Sequence, residues 1–432
     1  MDEPAPTPYA PPATGSVTVY RGATLIDGTE NAPRPRTTVV VDGETITRVG
    51  PDEQVETPEG AQVVDLAGRF VVPGLIDSHQ HLATPPNRPV AEAALRRQLY
   101  SGITAIRDMA DDLRQVGDLA RATRVGEIAG PDIHYAALMA GPGFFDDPRT
   151  WQVSQGETPG QVPWMQAIDE STDLPLAVAM ARGTHATAIK VYADLPGHTV
   201  AAIVAEARRQ GIMVWAHAAV FPASPAEVVA AGVDAVSHVT LLAQQTADEP
   251  LSSYKTKPVL DLDRLARDGD PRLDALYATM REHGTILDAT AGMWLWLADQ
   301  AEDTEGKERA LANDRLSAKL TGDAFRAGVP ISTGTDYETE PSQPLPALHS
   351  ELAYLVKRCG IPAADVIRSA TAIGAASLGA ADVMGTVEAG KLADFVVLAA
   401  DPIADIDNLG RVVCTVKRGR RFDRAEYEGA PA

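Results

Sequence analysis

Residues 75–82 read LIDSHQHL and residues 329–336 read VPISTGTD. Both are short apolar runs that end in polar, metal-competent side chains, namely His79 and His81 in the first and Asp336 in the second. Six further runs of strand character stand between them: ITAIRDM (103–109), DIHYAAL (132–138), AIKVYAD (188–194), IMVWAHA (212–218), DAVSHV (234–239) and TILDAT (285–290). Helical stretches follow most of these runs. TVAAIVAEARRQG follows the fourth and SPAEVVAAG the fifth, each ending in a glycine suited to a helix C-terminus. Strand alternating with helix predicts a parallel sheet. Eight such units over roughly 310 residues predict a (β/α)8 TIM barrel with some long loops, against a usual size of about 250. The longest insertion, from Met139 to Thr187, is Gly- and Pro-rich at first and then helical. A loop of that size at the mouth of a barrel reads as a substrate lid.

The flanks have different chemistry. VTVYRGATLID, TTVVVDGETITRVG and QVVDLAGRFVVP precede the barrel region, and KLADFVVLA and RVVCTVKRGRRF follow it, all with alternating strand patterns broken by Gly, Pro and Asp. Neither end alone has enough strands for a stable sheet domain. Residues 17–70 plus 383–425 are therefore expected to form one antiparallel β-sandwich domain, with the barrel, residues 71–382, inserted into it. Residues 1–16, rich in Pro and Ala, read as a disordered leader.

Composition narrows the partners. The 432 residues carry 38 Lys and Arg against 59 Asp and Glu, a formal net charge of −21. Nucleic acid and anionic membrane surfaces are thereby excluded as expected partners, since both require clustered cations. A hydrophobic fraction of 45% with 22% charged residues is that of a folded protein. Cys359 and Cys414 alone cannot make a disulfide framework. No apolar run reaches the roughly 18 to 20 residues of a membrane span. The expectation is a soluble protein, cytoplasmic by default, with export left open if the leader is the remnant of a removed signal.

In a strand, residues two apart share a face, so His79 and His81 both project into the barrel near its C-terminal end, where such barrels carry their active sites. Lys190 lies at the end of the fourth predicted strand, His217 of the fifth, His238 of the sixth and Asp336 of the eighth. Six metal-competent groups thus fall at one mouth. No GxSxG elbow offers a serine alternative.

This set, with PGLIDSHQH after a β segment and IGAASLGAADVMGTVEAGKLADFVVLAADP near the end, resembles the amidohydrolase superfamily, in particular its imidazolonepropionase-like and Xaa-Pro dipeptidase-like branch. The similarity runs from Val17 to Phe422. It implies a binuclear centre, most often zinc, with His79, His81 and Asp336 on the more buried ion and His217 and His238 on the more exposed one. Lys190 is implied as the bridge, which requires carbon dioxide to convert its amine into a carbamate with two oxygen donors. Burial and nearby dications favour the neutral amine that this needs. The implied chemistry is attack of a metal-bridging hydroxide on a carbonyl, with Asp336 moving the proton to the leaving amine.

For substrate contacts, Tyr192 shares the inward face of Lys190, and His198 follows the LPG turn just beyond. All five tryptophans fall in the barrel segment. Trp151 and Trp164 lie in the third loop, Trp215 two residues before His217, and Trp294 and Trp296 after strand seven. With Phe144 and Phe145 they point to an apolar roof over the site, in which Trp164 and Trp294 are the expected substrate contacts. Dipeptidase-like relatives often carry Gly-Gly-His after strand three, whereas this chain reads AGPGFFDDP over 140–148. The histidine that would meet a free carboxylate is missing. The expected activity is hydrolysis of an amide-type C–N bond in a small molecule with an apolar group: an N-acyl amino acid, dipeptide or carbamate. The alternatives are a lactone or cyclic amide or amidine hydrolase, a deaminase, which Lys190 argues against, and an inactive binding protein. The resemblance also implies association into homo-oligomers.

Overall fold

The computed structural model describes residues 16–427. The expected leader therefore lies, apart from Ser16, outside the described residues. The chain opens with β1 (Val17–Leu25), β2 (Arg34–Asp42), β3 (Thr45–Pro51), β4 (Gln62–Asp65) and β5 (Phe70–Pro73). Alternation in these strands sends Tyr20, Val39, Val41 and Ile46 into a small core shared with Phe395, Val397 and Val416 from the far end of the chain.

The barrel follows: β6 (Leu75–Gln80), β7 (Ile103–Asp108), β8 (Asp132–Ala140), a hairpin of β9 (Gln161–Val162) and β10 (Met165–Ala167), then β11 (Ala188–Val191), β12 (Met213–His217), β13 (Ala235–Ser237), β14 (Ile286–Asp288) and β15 (Ile331–Ser332). Eight of these pair in parallel in the order β6, β7, β8, β11, β12, β13, β14, β15. The seam between last and first is closed by backbone bonds. Ser78 N–H donates to Thr333 C=O at 2.7 Å and Asp336 N–H to His79 C=O at 3.0 Å. The hairpin is what the long third loop adds, with β10 lying parallel to β8.

β16 (Phe395–Leu398), β17 (Val412–Lys417) and β18 (Arg420–Asp423) return the chain to the outer sheet, whose order is β18-β17-β16-β5-β1-β2-β3 with β4 beside β1. The fold is thus the expected barrel with a β domain drawn from both ends. Two details differ from expectation. β5 runs on to Pro73, past the expected boundary at 70, and both β4 and β5 run parallel to β1. The register of β1 shifts between Tyr20 and Ala23, where Gly22 takes φ +90°, and β1 changes partner there from β4 to β5.

The two units are joined by charge at the floor of the barrel. Lys417 donates to the carbonyls of Thr123 (3.1 Å) and Gly130 (2.9 Å) and pairs with Asp132 (2.8 Å) at the start of β8. Arg418 reaches Asp132 through Nε (2.9 Å) and Glu44 through Nη1 (3.1 Å). Among the described residues no helix is long and apolar enough to cross a membrane.

Candidate active site

At the opposite end the strands stop and the backbone strains. Nine non-glycine residues among those described have positive φ, and six of them lie just beyond barrel strands: Ala110, Asp194, Phe221, His238, Thr290 and Asp336. Left-handed backbone costs on the order of 1 kcal/mol or more for such residues and collects where function over-determines geometry. His238 at φ +70° and Asp336 at φ +60° are two of the six predicted ligands. The turn after each strand aims them inward.

Asp336 is the hub. Its Oδ1 lies 3.6 Å from His79 Nε2 and 3.4 Å from His81 Nε2, and its Oδ2 lies 3.8 Å from His238 Nδ1. The His79 and His81 rings are 5.6 Å apart, as residues two apart on one strand should be. His217 stands 4.8 Å from His238, ring to ring. All six predicted groups, His79, His81, Lys190, His217, His238 and Asp336, line one cavity of about 290 Å³. The tightest cluster is His79, His238 and Asp336, whose donor atoms lie within 4.8 Å of one another.

Behind this layer stand residues that the sequence reading did not single out. Asp288, at the end of β14, is fully buried and receives His79 Nδ1 at 2.6 Å, Arg107 Nη2 at 2.9 Å and the Ser237 hydroxyl at 2.8 Å. Asp111 receives His81 Nδ1 at 2.7 Å. Each carboxylate thereby turns the other ring nitrogen toward the cavity. Room for Asp288 comes from Gly334, where a Cβ would lie 2.0 Å from Asp288 Oδ1 and 2.6 Å from His79 Cβ. Asp288 carried a usable signal, since it ends the seventh predicted strand as the ligands end theirs. Arg107 and Asp111 carried none, because their partners lie on distant strands or loops.

Burial sets the protonation of the site. It brings the Lys190 amine down to about 7 and His238 down to about 3. Burial, then the charges of Lys190 and His238, push His217 well below its ordinary value. Burial opposes charge on His81 too, but Asp111 and Asp336 outweigh it and hold that ring well above its usual value. For Asp336, burial opposes ionisation, yet the surrounding imidazoles hold it well below the carboxylate range. His217 Nδ1 is buried with no hydrogen-bond partner. His79, His217 and His238 as neutral imidazoles, one of them with an orphaned nitrogen, beside an ionised carboxylate are donors of the kind a divalent cation requires, and His81 would release its extra proton on joining them. The site fits a metal.

The remaining expected contacts divide. Tyr192 lines the cavity, its ring 3.9 Å from that of His217 and 4.5 Å from Phe144. Trp164 lies outside the lining, packed in the barrel core under the Arg114 guanidinium at 4.9 Å. Trp294 also lies outside it, its indole N–H donating to Thr240 Oγ1 at 3.3 Å. His198 is exposed near the start of the helix Gly197–Gln210. The third loop does roof the cavity, through Phe144, Arg149, Thr150 and Val153.

Fold and site together define a (β/α)8 barrel with a metal-competent mouth. Residues 70–422 match the model of the amidohydrolase family, and the chain belongs to that family. It is 26% identical over 401 residues to the imidazolonepropionase of Micrococcus luteus, covering 84% of this chain and 87% of that one. A shorter stretch of 89 residues is 36% identical to an uncharacterized Mycobacterium tuberculosis protein, over 20% of this chain and 14% of that protein, so the chain spans about a seventh of that relative's length. Among solved structures, a Xaa-Pro dipeptidase with bound methionine in its active site matches with a TM-score of 0.74 at 24% identity, over 94% of this chain and 100% of that one. The ochratoxinase of A. niger matches with 0.74 at 22% identity, over 94% and 96%. Likeness at that level of identity speaks to the fold.

Proposed function

We propose that the chain hydrolyses an amide-type C–N bond in a small N-acyl amino acid, dipeptide or carbamate with an apolar group. Two divalent ions, zinc by its affinity for imidazole and carboxylate, would be held by His79, His81 and Asp336 on one side and by His217 and His238 on the other. Lys190, carboxylated by carbon dioxide, would bridge them. The observation that carries the reading is the convergence of these six side chains, from five different strands or their ends, on one cavity. Ions bound there supply Lewis acidity, polarising a carbonyl and lowering the pKa of water.

The chain's own groups do the rest. Asp336, ionised and within 3.8 Å of three imidazoles, takes the proton of the attacking water and passes it to the leaving nitrogen. Met109, Leu138, Phe144, Val153 and Met165 offer an apolar wall to an acyl or side-chain group. Arg149, whose guanidinium pairs with Asp147 Oδ2 at 2.6 Å, belongs to the same lining, immediately after the stretch that lacks the relatives' histidine. An apolar wall beside one cation favours an N-acyl amino acid among the candidates, with its carboxylate toward Arg149.

Zinc-reconstituted protein screened against N-acyl amino acids, dipeptides, carbamates and lactones is expected to hydrolyse the N-acyl amino acids best and to hold two metals per chain. Lys190→Ala should lose that activity and recover part of it with added short carboxylic acids. Hydrolysis confined to lactones, or full activity in Lys190→Ala without such acids, would sink the reading.

A further inference from the structure

Asp288 is a buried acid to which the proposed reaction gives no step. Its Oδ2 collects three donors: His79 Nδ1, Arg107 Nη2 and Ser237 Oγ. An ionised carboxylate only accepts, so the Ser237 hydroxyl must donate to it. With that proton committed, Ser237 Oγ is left as the acceptor for Lys190 Nζ at 3.2 Å. The polarity of this chain matters. A neutral amine has two N–H bonds and one lone pair, and a hydroxyl turned the other way would donate into the lone pair. Here an N–H bond is spent on Ser237 and the lone pair is not.

We infer that Asp288, acting through Ser237, is a positioning residue that orients the Lys190 amine so that its lone pair stays free to take up carbon dioxide. The inference rests on the reading of Lys190 as the carboxylated bridge. In the step itself, the nitrogen lone pair forms the N–C bond, one C=O π pair moves onto oxygen, and one nitrogen proton leaves to water in the cavity. The product is a carbamate monoanion. The same Asp288 oxygen holds His79 with its Nδ1 hydrogen-bonded, leaving Nε2 for the cavity, so one carboxylate sets two of the six groups.

The test titrates zinc-reconstituted wild type and Ser237→Ala with isotopically labelled bicarbonate and follows the carbamate by native mass spectrometry and NMR. Ser237→Ala removes the hydroxyl without adding bulk at a buried strand position. The bicarbonate concentration for half-maximal carbamate should rise about tenfold or more, the scale on which outer-layer partners of metal sites act. A smaller rise overturns the inference. Wild type that forms no carbamate at any bicarbonate concentration overturns instead the reading of Lys190. Asp288→Asn, whose amide can donate to Ser237 and reverse its hydroxyl, should behave like Ser237→Ala. If loss of the charge beside buried Arg107 prevents folding of that variant, Ser237→Ala decides alone.

Discussion

Asp336 concentrates the demands of the site in one residue. It sits at φ +60°, donates its backbone N–H to His79 C=O, and faces three imidazoles with its carboxylate. Asn has the same shape and tolerates left-handed backbone, so Asp336→Asn should fold. It cannot serve as a base. The expected loss in kcat is about 10²- to 10⁴-fold, the usual worth of a positioned general base. A variant within a few-fold of wild type would show the proton to travel elsewhere. At this scale the sequence was informative where chemistry repeats in register: His79 and His81 two apart on one strand, and Lys190, His217, His238 and Asp336 at the ends of four others. It was silent on Arg107 and Asp111. Those act on residues 181 and 30 positions away in the chain, and no local pattern marks such a pairing.

The third loop shows what an element's composition reveals and what it hides. Its length, glycines and aromatics marked it as a cover over the mouth, and Phe144, Arg149, Thr150 and Val153 do line the cavity. Which aromatic points inward was not legible. Trp151 is 58% exposed, and Trp164 is buried away from the cavity with Leu138 N–H bonded to its carbonyl at 2.7 Å. Counting tryptophans measures apolar mass but carries no direction, because side-chain facing in a loop follows no period. Phe144→Ala should raise KM for an N-acyl substrate with a bulky apolar group about tenfold, in keeping with the worth of one buried aromatic contact. Trp294→Ala, outside the lining, should leave that KM nearly unchanged. The reverse ranking in steady-state kinetics would restore the tryptophan roof. The strands were the better-marked elements, since buried parallel strands announce themselves as apolar runs.

Across the whole molecule, the joint between the two units is a buried charge cluster, and one member of it is frustrated. Asp394 accepts Arg418 N–H at 2.6 Å, yet its other oxygen has no partner, and burial, then the nearby Asp132 charge, raise its carboxyl to about 6. The raised value means that the folded state binds this proton more tightly than the unfolded chain does. The cost of ionising Asp394 is absent below the unfolded value near 4, grows between pH 4 and about 6, and is full above that. Replacing it with Asn, which cannot ionise, removes the trend. Between pH 4 and pH 7, the stability of Asp394→Asn relative to wild type should shift in the variant's favour by on the order of 2 kcal/mol in denaturant titrations. A difference that does not change with pH would mean that Asp394 ionises at the same pH in the folded protein as in the unfolded chain. The joint could not be foreseen from sequence because its partners come from opposite ends of the chain, Asp132 and Arg418 lying 286 residues apart.

The seam of the barrel joins residues separated in the same way. Thr333 meets Ile76 across 257 residues, and the bonds that close the seam run through His79 and Asp336 themselves. A chain emerging from the ribosome presents the two histidines of β6 long before the aspartate that completes them. A metal held by both sides binds the closed barrel and has little to hold in the open one, so it stabilises the closed form by mass action. The ion would act as a clasp fastened at the last stage of assembly, and metal supply would govern how long the newly made chain stays shut.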